Sequence, residues 1–128
     1  MPLDERELSY FIDILECIHD VQKFTESVSF QEFENDKMRK LAVERQLEVI
    51  GQAANKISKE TQQTYPSIPW ERIIGLRNRL AHDYGDILAK RIWDICHSSI
   101  QSLLESILKI DAVLEYVARD ESLKRLGE

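Results

Sequence analysis

The sequence predicts an all-α protein, folded as an antiparallel bundle of four or five helices. Apolar residues recur every three or four positions along most of the chain, and no segment alternates apolar with polar residues as a strand would. The 128 residues include only four Gly and three Pro, too few turn formers for a sandwich of many strands. A hydrophobic fraction of 43% suits one ordinary core, so we expect a single domain over residues 1–128.

Two helices are predicted before residue 36. Residues 8–22 carry apolar side chains at helical spacing, and the acidic residues near their start suit the positive end of a helix dipole. Ser29 and Glu32 have the spacing of a capping box, which predicts that a short helix begins there.

A long third helix is predicted from about Asp36 to Lys59. Its apolar positions cover a broad face, which indicates burial on more than one side. The second half of this helix contains small residues that would let another helix approach closely: Gly51, Ala53 and Ala54. Residues 60–69 include Thr61, Tyr65-Pro66 and Pro69, and they predict a break in helical structure.

The second half of the chain carries three further helical patterns. One begins near Pro69, which suits the first position of a helix, and ends near Gly85. Asp86 is then expected to cap the next helix. Residues 98–101 have the form of a capping box, which predicts a bend before the last helix. The charged tail from Arg119 is expected to fray.

Composition narrows the possible functions. The formal net charge is -6, so any contact with nucleic acid must rest on a local basic patch rather than on global attraction. The two cysteines, Cys17 and Cys96, lie in apolar helical contexts and are expected to be reduced core thiols. We expect no signal peptide and no membrane span, and therefore a cytoplasmic protein.

The residues that suit chemistry are concentrated between positions 77 and 84: Arg77, Asn78, Arg79, His82 and Tyr84. These residue types fit the cleavage of RNA, which carries its own nucleophile in the 2′-hydroxyl beside the scissile phosphate. A histidine titrates near neutrality and can move the proton. An arginine guanidinium can hold phosphate oxygens and stabilise the charge that develops on them, so no metal is required.

Helix geometry limits how these residues can cooperate. Asn78 and His82 lie four residues apart and share a face, whereas Arg77 lies at the edge of the apolar stripe. Arg77 and His82 can therefore converge only through the length of the arginine side chain or through a distortion near Gly75. Because in-line cleavage needs both a base and an acid, one such histidine per chain predicts a two-fold dimer with this helix at its interface.

Two other interpretations of the residues remain open. The arginines could form a solvated helix face, with His82 bonded to a neighbouring polar residue. A metal site is the other alternative, because two acid-x-x-His pairs resemble those of di-iron bundles. These pairs are Glu16 with His19 and Asp94 with His97, although His97 is expected to point away from the core.

The run Arg77-x4-His82-x-Tyr84 resembles the R-x4-H-x-Y motif of HepT-like proteins of the HEPN class. Asn78 matches the polar residue that commonly follows the arginine. The flanking sequence is similar as well, and the resemblance spans nearly the whole chain in length and helix order. It includes Tyr65-Pro66, Ile68-Pro69-Trp70, Ile74-Gly75-Leu76 and Ile50-Gly51-Gln52-Ala53-Ala54. One departure is Cys96–Ser99, which lacks the proline expected before the last helix.

This resemblance implies a homodimeric HEPN bundle that cleaves RNA without metal or other cofactor and acts as the toxin of a toxin–antitoxin pair. Arg77 and His82 would be catalytic, with Asn78 and Arg79 in support. The partner would be a MntA-like minimal nucleotidyltransferase antitoxin, which would neutralise the toxin by transferring AMP to Tyr84. The alternative is a non-catalytic HEPN module that only binds such a transferase; the presence of both Arg77 and His82 favours the enzyme.

Overall fold

The computed structural model describes residues 3–82 and 88–127, with the backbone alone for His82. Every regular element in these ranges is helical, which confirms the predicted all-α class. The α-helices are α1 (Glu5–Thr25), α2 (Phe30–Glu34), α3 (Lys37–Lys56), α4 (Lys59–Thr64), α5 (Trp70–His82), α6 (Ala89–Asp94), α7 (Ile100–Leu108) and α8 (Asp111–Arg119). A π-helical segment, Ile95–Ser99, joins α6 to α7, and a 3₁₀ turn, Lys124–Gly127, follows α8.

Polar side chains fix where the first helices begin. Asp4 accepts a hydrogen bond from the Glu7 amide at 2.7 Å and caps α1. Ser29 and Glu32 form the predicted capping box, each side chain bonding the other residue's backbone amide at 3.1 Å. Hydrogen bonding to Ser29 lowers the pKa of the Glu32 carboxyl below its ordinary value. The amphipathic helix of residues 8–22 and the short helix after Ser29 are therefore confirmed.

Helix α3 lies between two other helices, as its broad apolar face predicted. One side packs on α1 and the other on α5. Its buried residues include the small ones predicted to allow close approach. A Cβ atom added at Gly51 would lie 2.2 Å from Cβ of Arg77 on α5, far inside van der Waals contact. The absence of a side chain at Gly51 therefore brings α5, which carries the motif, against the bundle core.

The predicted break at residues 60–69 is wrong for its first half, because α4 occupies Lys59–Thr64. Ser58 caps this helix by accepting a hydrogen bond from the Thr61 amide at 3.2 Å. The buried Gln62 then donates to the Ile57 carbonyl at 3.0 Å, and Trp70 Nε1 donates to the Gln62 carbonyl at 3.1 Å. The break begins only after Thr64, because the serine cap lets a short helix form ahead of the two prolines.

The predicted bend at residues 98–101 is also wrong. The backbone stays in the right-handed helical region from Asp94 to Ile100, and neither end of the π-helical segment has a side-chain cap. The Ser98 hydroxyl donates to the Asp94 carbonyl at 2.8 Å within the helix instead of capping a new one. Together α6, the π-helical segment and α7 form one uninterrupted helical path, which explains why no proline is needed there.

The C-terminal part departs from prediction in two ways. The predicted last helix is divided at Lys109–Ile110 into α7 and α8. The tail does not fray: Leu123 and Leu126 are buried beneath α8, with exposed fractions of 2% and 8%. Asp120 accepts hydrogen bonds from Ser122 and turns the chain back onto α8. Two apolar residues within a charged tail were the signal that the prediction overlooked.

The connection between α5 and α6 bears on three further predictions. Gly85 as the end of α5 and Asp86 as a cap both fall at residues 83–87, outside the described residues. The N-cap position of α6 is held by Leu88, which makes no side-chain cap. At the other end of α5, Trp70 rather than Pro69 is the first helical residue. In the described ranges, no helix combines the length and apolar character needed to cross a membrane.

Candidate functional site

Arg77 occupies the contact between α5 and α3. Its Cβ and Cγ lie where a side chain at Gly51 would otherwise be, so its aliphatic stem is fixed by packing. Arg77 is partly buried, and the helix that carries it is amphipathic. A predicted catalytic arginine is thus held against the core at its base, which orients the guanidinium that it carries.

The guanidinium of Arg77 is incompletely paired within the described part of the chain. Nη1 donates to Oδ1 of Asn78 at 3.1 Å, and the supporting role of Asn78 stays a prediction. Nε is buried without a hydrogen-bond partner there, and no carboxylate described lies within ion-pair distance. A charged group without an anionic partner is well suited to receive one, such as a phosphate.

The backbone of α5 decides one question that the sequence left open. The helix runs without interruption from Trp70 to His82, so no distortion near Gly75 brings Arg77 and His82 together. The two residues are separated by about 7.5 Å along the axis of a regular helix. Only the length of the arginine side chain can then bring its guanidinium toward the next turn, and Arg77 already reaches Asn78.

Two predicted site residues fall partly or wholly outside the structural description. His82 is the last described residue of α5, but its side chain is not described, so the proposed pairing with Arg77 stays a prediction. Tyr84, the predicted site of modification, lies within residues 83–87, outside the described residues.

Arg79 does not join the Arg77–Asn78 pair. It lies on a different face of α5 and lines a groove of about 860 Å³ between α5 and the helical path of α6 and α7. Arg79 was predicted only to support catalysis, and no local sequence pattern predicted this groove. The groove brings Arg79 together with Arg72 and with Arg91 of α6, a residue too distant in sequence to be grouped with them.

The metal alternative finds no support in residues 3–82 and 88–127, which contain no group of three or more potential ligand side chains. His97 instead stacks on Trp93, with ring centroids 4.0 Å apart, and its Nδ1 lies 2.8 Å from the Trp93 carbonyl oxygen. His19 Nδ1 is buried without a described hydrogen-bond partner. Neither acid-x-x-His pair is part of a larger cluster.

The cysteines are not candidates for a nucleophile. Cys17 and Cys96 are free and buried, as predicted. Burial raises the pKa of each thiol to about 12, so the reactive thiolate is almost absent at neutral pH.

Comparison with known proteins shows the family to which this sequence belongs. The family model described as ribonuclease HepT-like matches residues 14–110, from the middle of α1 to the end of α7. A protein of Methanocaldococcus jannaschii that is named as a candidate RNase is 35% identical over 106 residues, covering 82% of this chain and 97% of that protein. Another from the same organism is 35% identical over 121 residues, covering 94% and 98%.

A third relative comes from Thermococcus cleftensis and is named "Probable ribonuclease HepT". It is 34% identical over 94 residues, covering 73% of this chain and 86% of that protein. No solved structure matches the chain. The matched region contains α3, the whole of α5 and the groove beside it, and the chain therefore belongs to the ribonuclease HepT-like family.

Proposed function

We propose that this protein is a metal-independent endoribonuclease and the toxin of a toxin–antitoxin pair, acting in the cytoplasm as a homodimer. The observation that carries the proposal is the guanidinium of Arg77. It is anchored by packing against Gly51, bonded to Asn78, and without a carboxylate partner among the described residues. The same helix carries His82, and the chain belongs to a family named for ribonuclease activity.

In the proposed reaction the 2′-hydroxyl oxygen of the substrate attacks the adjacent phosphorus, and the bond from phosphorus to the 5′-oxygen breaks. His82 takes up the 2′-hydroxyl proton or delivers a proton to the leaving 5′-oxygen. Arg77 neutralises the charge that develops on the non-bridging oxygens. The products are a 2′,3′-cyclic phosphate and a 5′-hydroxyl, and the chemistry needs no added metal ion.

We infer dimerisation from the number of histidines available for the two proton transfers. Proton removal and proton delivery occur on opposite sides of the phosphorus, and each chain contributes one His82. We propose that the two copies of α5 lie near the two-fold axis, so that the two histidines share the two roles. Light scattering at micromolar concentration should give the mass of a dimer. A mass of one chain only, under conditions of full activity, would contradict the shared site.

We propose further that a MntA-like nucleotidyltransferase antitoxin controls the enzyme through Tyr84. The phenol oxygen would bond to the α-phosphorus of ATP, pyrophosphate would leave, and the phenol proton would pass to a base of the transferase. Each AMP would add a negative phosphate near the end of α5, where it could pair with the arginines that hold RNA. Co-expression with the transferase should add AMP to the intact mass in wild type and not in Tyr84→Phe. Full neutralisation at unchanged mass would instead mean inhibition by binding alone.

The second candidate function is a non-catalytic module that only binds the transferase. The guanidinium of Arg77 favours the enzyme. Among the described residues it bonds Asn78 but has no carboxylate partner, and a binding module has no need for a charge held in this way. RNA cleavage by the purified protein separates the two functions.

The deciding experiment compares two histidine variants. With EDTA present, wild type should cleave RNA, and His82→Ala should lose about 10²–10⁴-fold in rate, the usual contribution of a general acid or base. His97→Ala is the matched control, because His97 is an exposed helical histidine outside α5. Equal rates of RNA cleavage by the two variants would show that His82 takes no part in the reaction. An absence of cleavage by wild type would favour the binding module.

A further inference from the structure

The groove beside α5 has a distinct charge. Three exposed arginines line it, Arg72 and Arg79 from α5 and Arg91 from α6. None of its described lining residues is acidic, although the chain contains 23 acidic residues and has a formal net charge of -6. This groove is therefore the local basic patch that an acidic protein needs in order to bind a polyanion.

The interior of the groove is apolar. Leu47 and Ile50 of α3 line it between the two walls, and Leu76 and Ile95 contribute from the walls themselves. A mostly apolar cavity with a few polar groups at its edge is the usual form of a small-molecule site. Aliphatic side chains can cover the face of an unstacked nucleobase, while arginines at the edge hold its phosphates.

Gly75 is a second, independent indication that the groove receives a ligand. It lies in the middle of α5 and lines the groove, yet a Cβ atom there would meet no described atom within 4 Å. A glycine in a helix interior destabilises the helix relative to alanine. Since no packing within the described chain explains that cost, the open backbone at Gly75 leaves room for the close approach of a bound molecule.

The opposite wall has its own irregularity. The π-helical segment Ile95–Ser99 lies in this wall, with Ile95, Ser98 and Ser99 all lining the groove. A π-helical turn inserts one residue and rotates the following side chains relative to those before it, and such turns are frequent at functional sites. Ser99 of this segment and Ser102 of α7 both line the groove, in the wall across from α5.

We propose that this groove binds the single-stranded RNA beside the scissile phosphate, with one nucleobase against the apolar interior and the flanking phosphates on Arg72, Arg79 and Arg91. The inference rests on the proposed function, because it assigns the substrate's path from Arg77 across α5. Charge favours RNA over a second copy of this chain. A second copy docked here about a two-fold axis would bring the same three arginines toward one another.

Binding can be measured apart from cleavage with a fluorescently labelled, fully 2′-O-methylated RNA of six to eight nucleotides, which has no free 2′-hydroxyl to react. We expect Arg79→Gln and Arg91→Gln each to weaken binding about 3–10-fold. Each should also reduce the slope of log affinity against log salt concentration by about 0.7, the value for one lost phosphate contact with a single strand. Arg119→Gln, an exposed arginine on α8, is the matched control and should change neither quantity.

Gly75→Ala provides the sharper test, because its two expected effects have opposite signs. Alanine should raise the melting temperature by about 2–5 °C through better helix propensity, since its methyl group meets nothing described. The same methyl group should weaken binding of the methylated RNA at least about 5-fold. A variant that is more stable and yet binds less tightly cannot be explained by misfolding.

The remaining outcomes separate this inference from the proposed function. Unchanged RNA affinity in Gly75→Ala and Arg79→Gln, with cleavage still dependent on His82, would overturn the groove assignment alone. Conversion of Gly75→Ala from dimer to monomer would overturn it in favour of a second copy as the occupant. The groove variants could instead weaken binding of methylated RNA as expected while wild type fails to cleave unmodified RNA. That result would support the groove as an RNA-binding site and contradict the proposed ribonuclease activity.

Discussion

The two glycines beside the motif arginine lie in opposite surroundings. Gly51 of α3 is buried, and a Cβ there would collide with the stem of Arg77 and with the Ile73 carbonyl oxygen at 2.9 Å. Gly75 of α5 lines an open groove, and a Cβ there would meet no described atom. The closed face of α5 holds Arg77 in position, whereas the open face is available to a ligand. One face of α5 thus positions the stem of Arg77, and a different face of the same helix leaves space for a ligand.

Removing the guanidinium of Arg77 should have the largest effect. Arg77→Met keeps an unbranched aliphatic stem to pack against Gly51 while deleting the charge, so the bundle should remain folded. We expect RNA cleavage to fall by about 10²–10³-fold, the usual loss when one donor to a transition-state oxyanion is removed. The melting temperature should change by no more than a few degrees. Arg119→Met on α8 is the matched control, and equal activities in the two variants would contradict the assignment.

Substituting each of the two glycines with alanine should have the next largest effect. The two variants should change the free energy of unfolding in opposite directions. Gly51→Ala forces its methyl group into Arg77 and should destabilise the bundle by roughly 1–3 kcal/mol, the usual cost of overpacking. Gly75→Ala should instead stabilise it by about 0.5–1 kcal/mol. Urea denaturation of both variants measures the difference. Two changes of the same sign would mean that the closed and open faces are not distinct.

The smallest effect concerns the helix caps, far from both faces. Hydrogen bonding to Ser29 lowers the pKa of Glu32, so this carboxylate stabilises the folded state above its unfolded pKa and stops doing so as pH falls through its folded value. Burial raises the pKa of the Glu44 carboxyl, so its ionised form destabilises the folded state above pH 4.5. Protonation of Glu44 at acid pH relieves this cost and partly offsets the stability lost at Glu32.

Glu32→Gln tests this contribution, because glutamine can keep the capping-box hydrogen bond but cannot titrate. Between pH 5 and pH 3 the melting temperature of the variant should fall less than that of wild type. The difference should be small because Glu32 is exposed. An identical acid dependence in both proteins would show that the lowered pKa contributes no measurable stability.

Local sequence patterns predicted much of the fold, including the helix contact that positions the stem of Arg77. Helical periodicity gave the all-α class, and small residue size at Gly51 correctly indicated a close helix contact. The capping box at Ser29 and Glu32 was identified because both partners lie within four residues. Such features depend on neighbours in sequence, which a single chain displays directly.

The features that the sequence did not reveal depend on tertiary packing. Arg79 of α5 and Arg91 of α6 line one groove together with Leu47 and Ile50 of α3, and nothing local to either arginine indicates this. The serines at positions 98 and 99 fit the pattern of a cap, but packing of Cys96 and Ile100 into the core keeps the backbone helical through them. The pairing of Arg77 with Asn78 likewise depends on how Gly51 directs the arginine stem.

The central claim is that Arg77 and His82 cleave RNA through the substrate's own 2′-hydroxyl. The most direct test treats a defined RNA with purified protein in EDTA and identifies both new ends by mass spectrometry, beside the same RNA with a 2′-deoxy substitution at the cut position. We predict a 2′,3′-cyclic phosphate and a 5′-hydroxyl on the unmodified RNA, and no cut at the substituted position. A 3′-hydroxyl with a 5′-phosphate, cleavage that requires Mg²⁺, or cleavage at the deoxy position would contradict the mechanism.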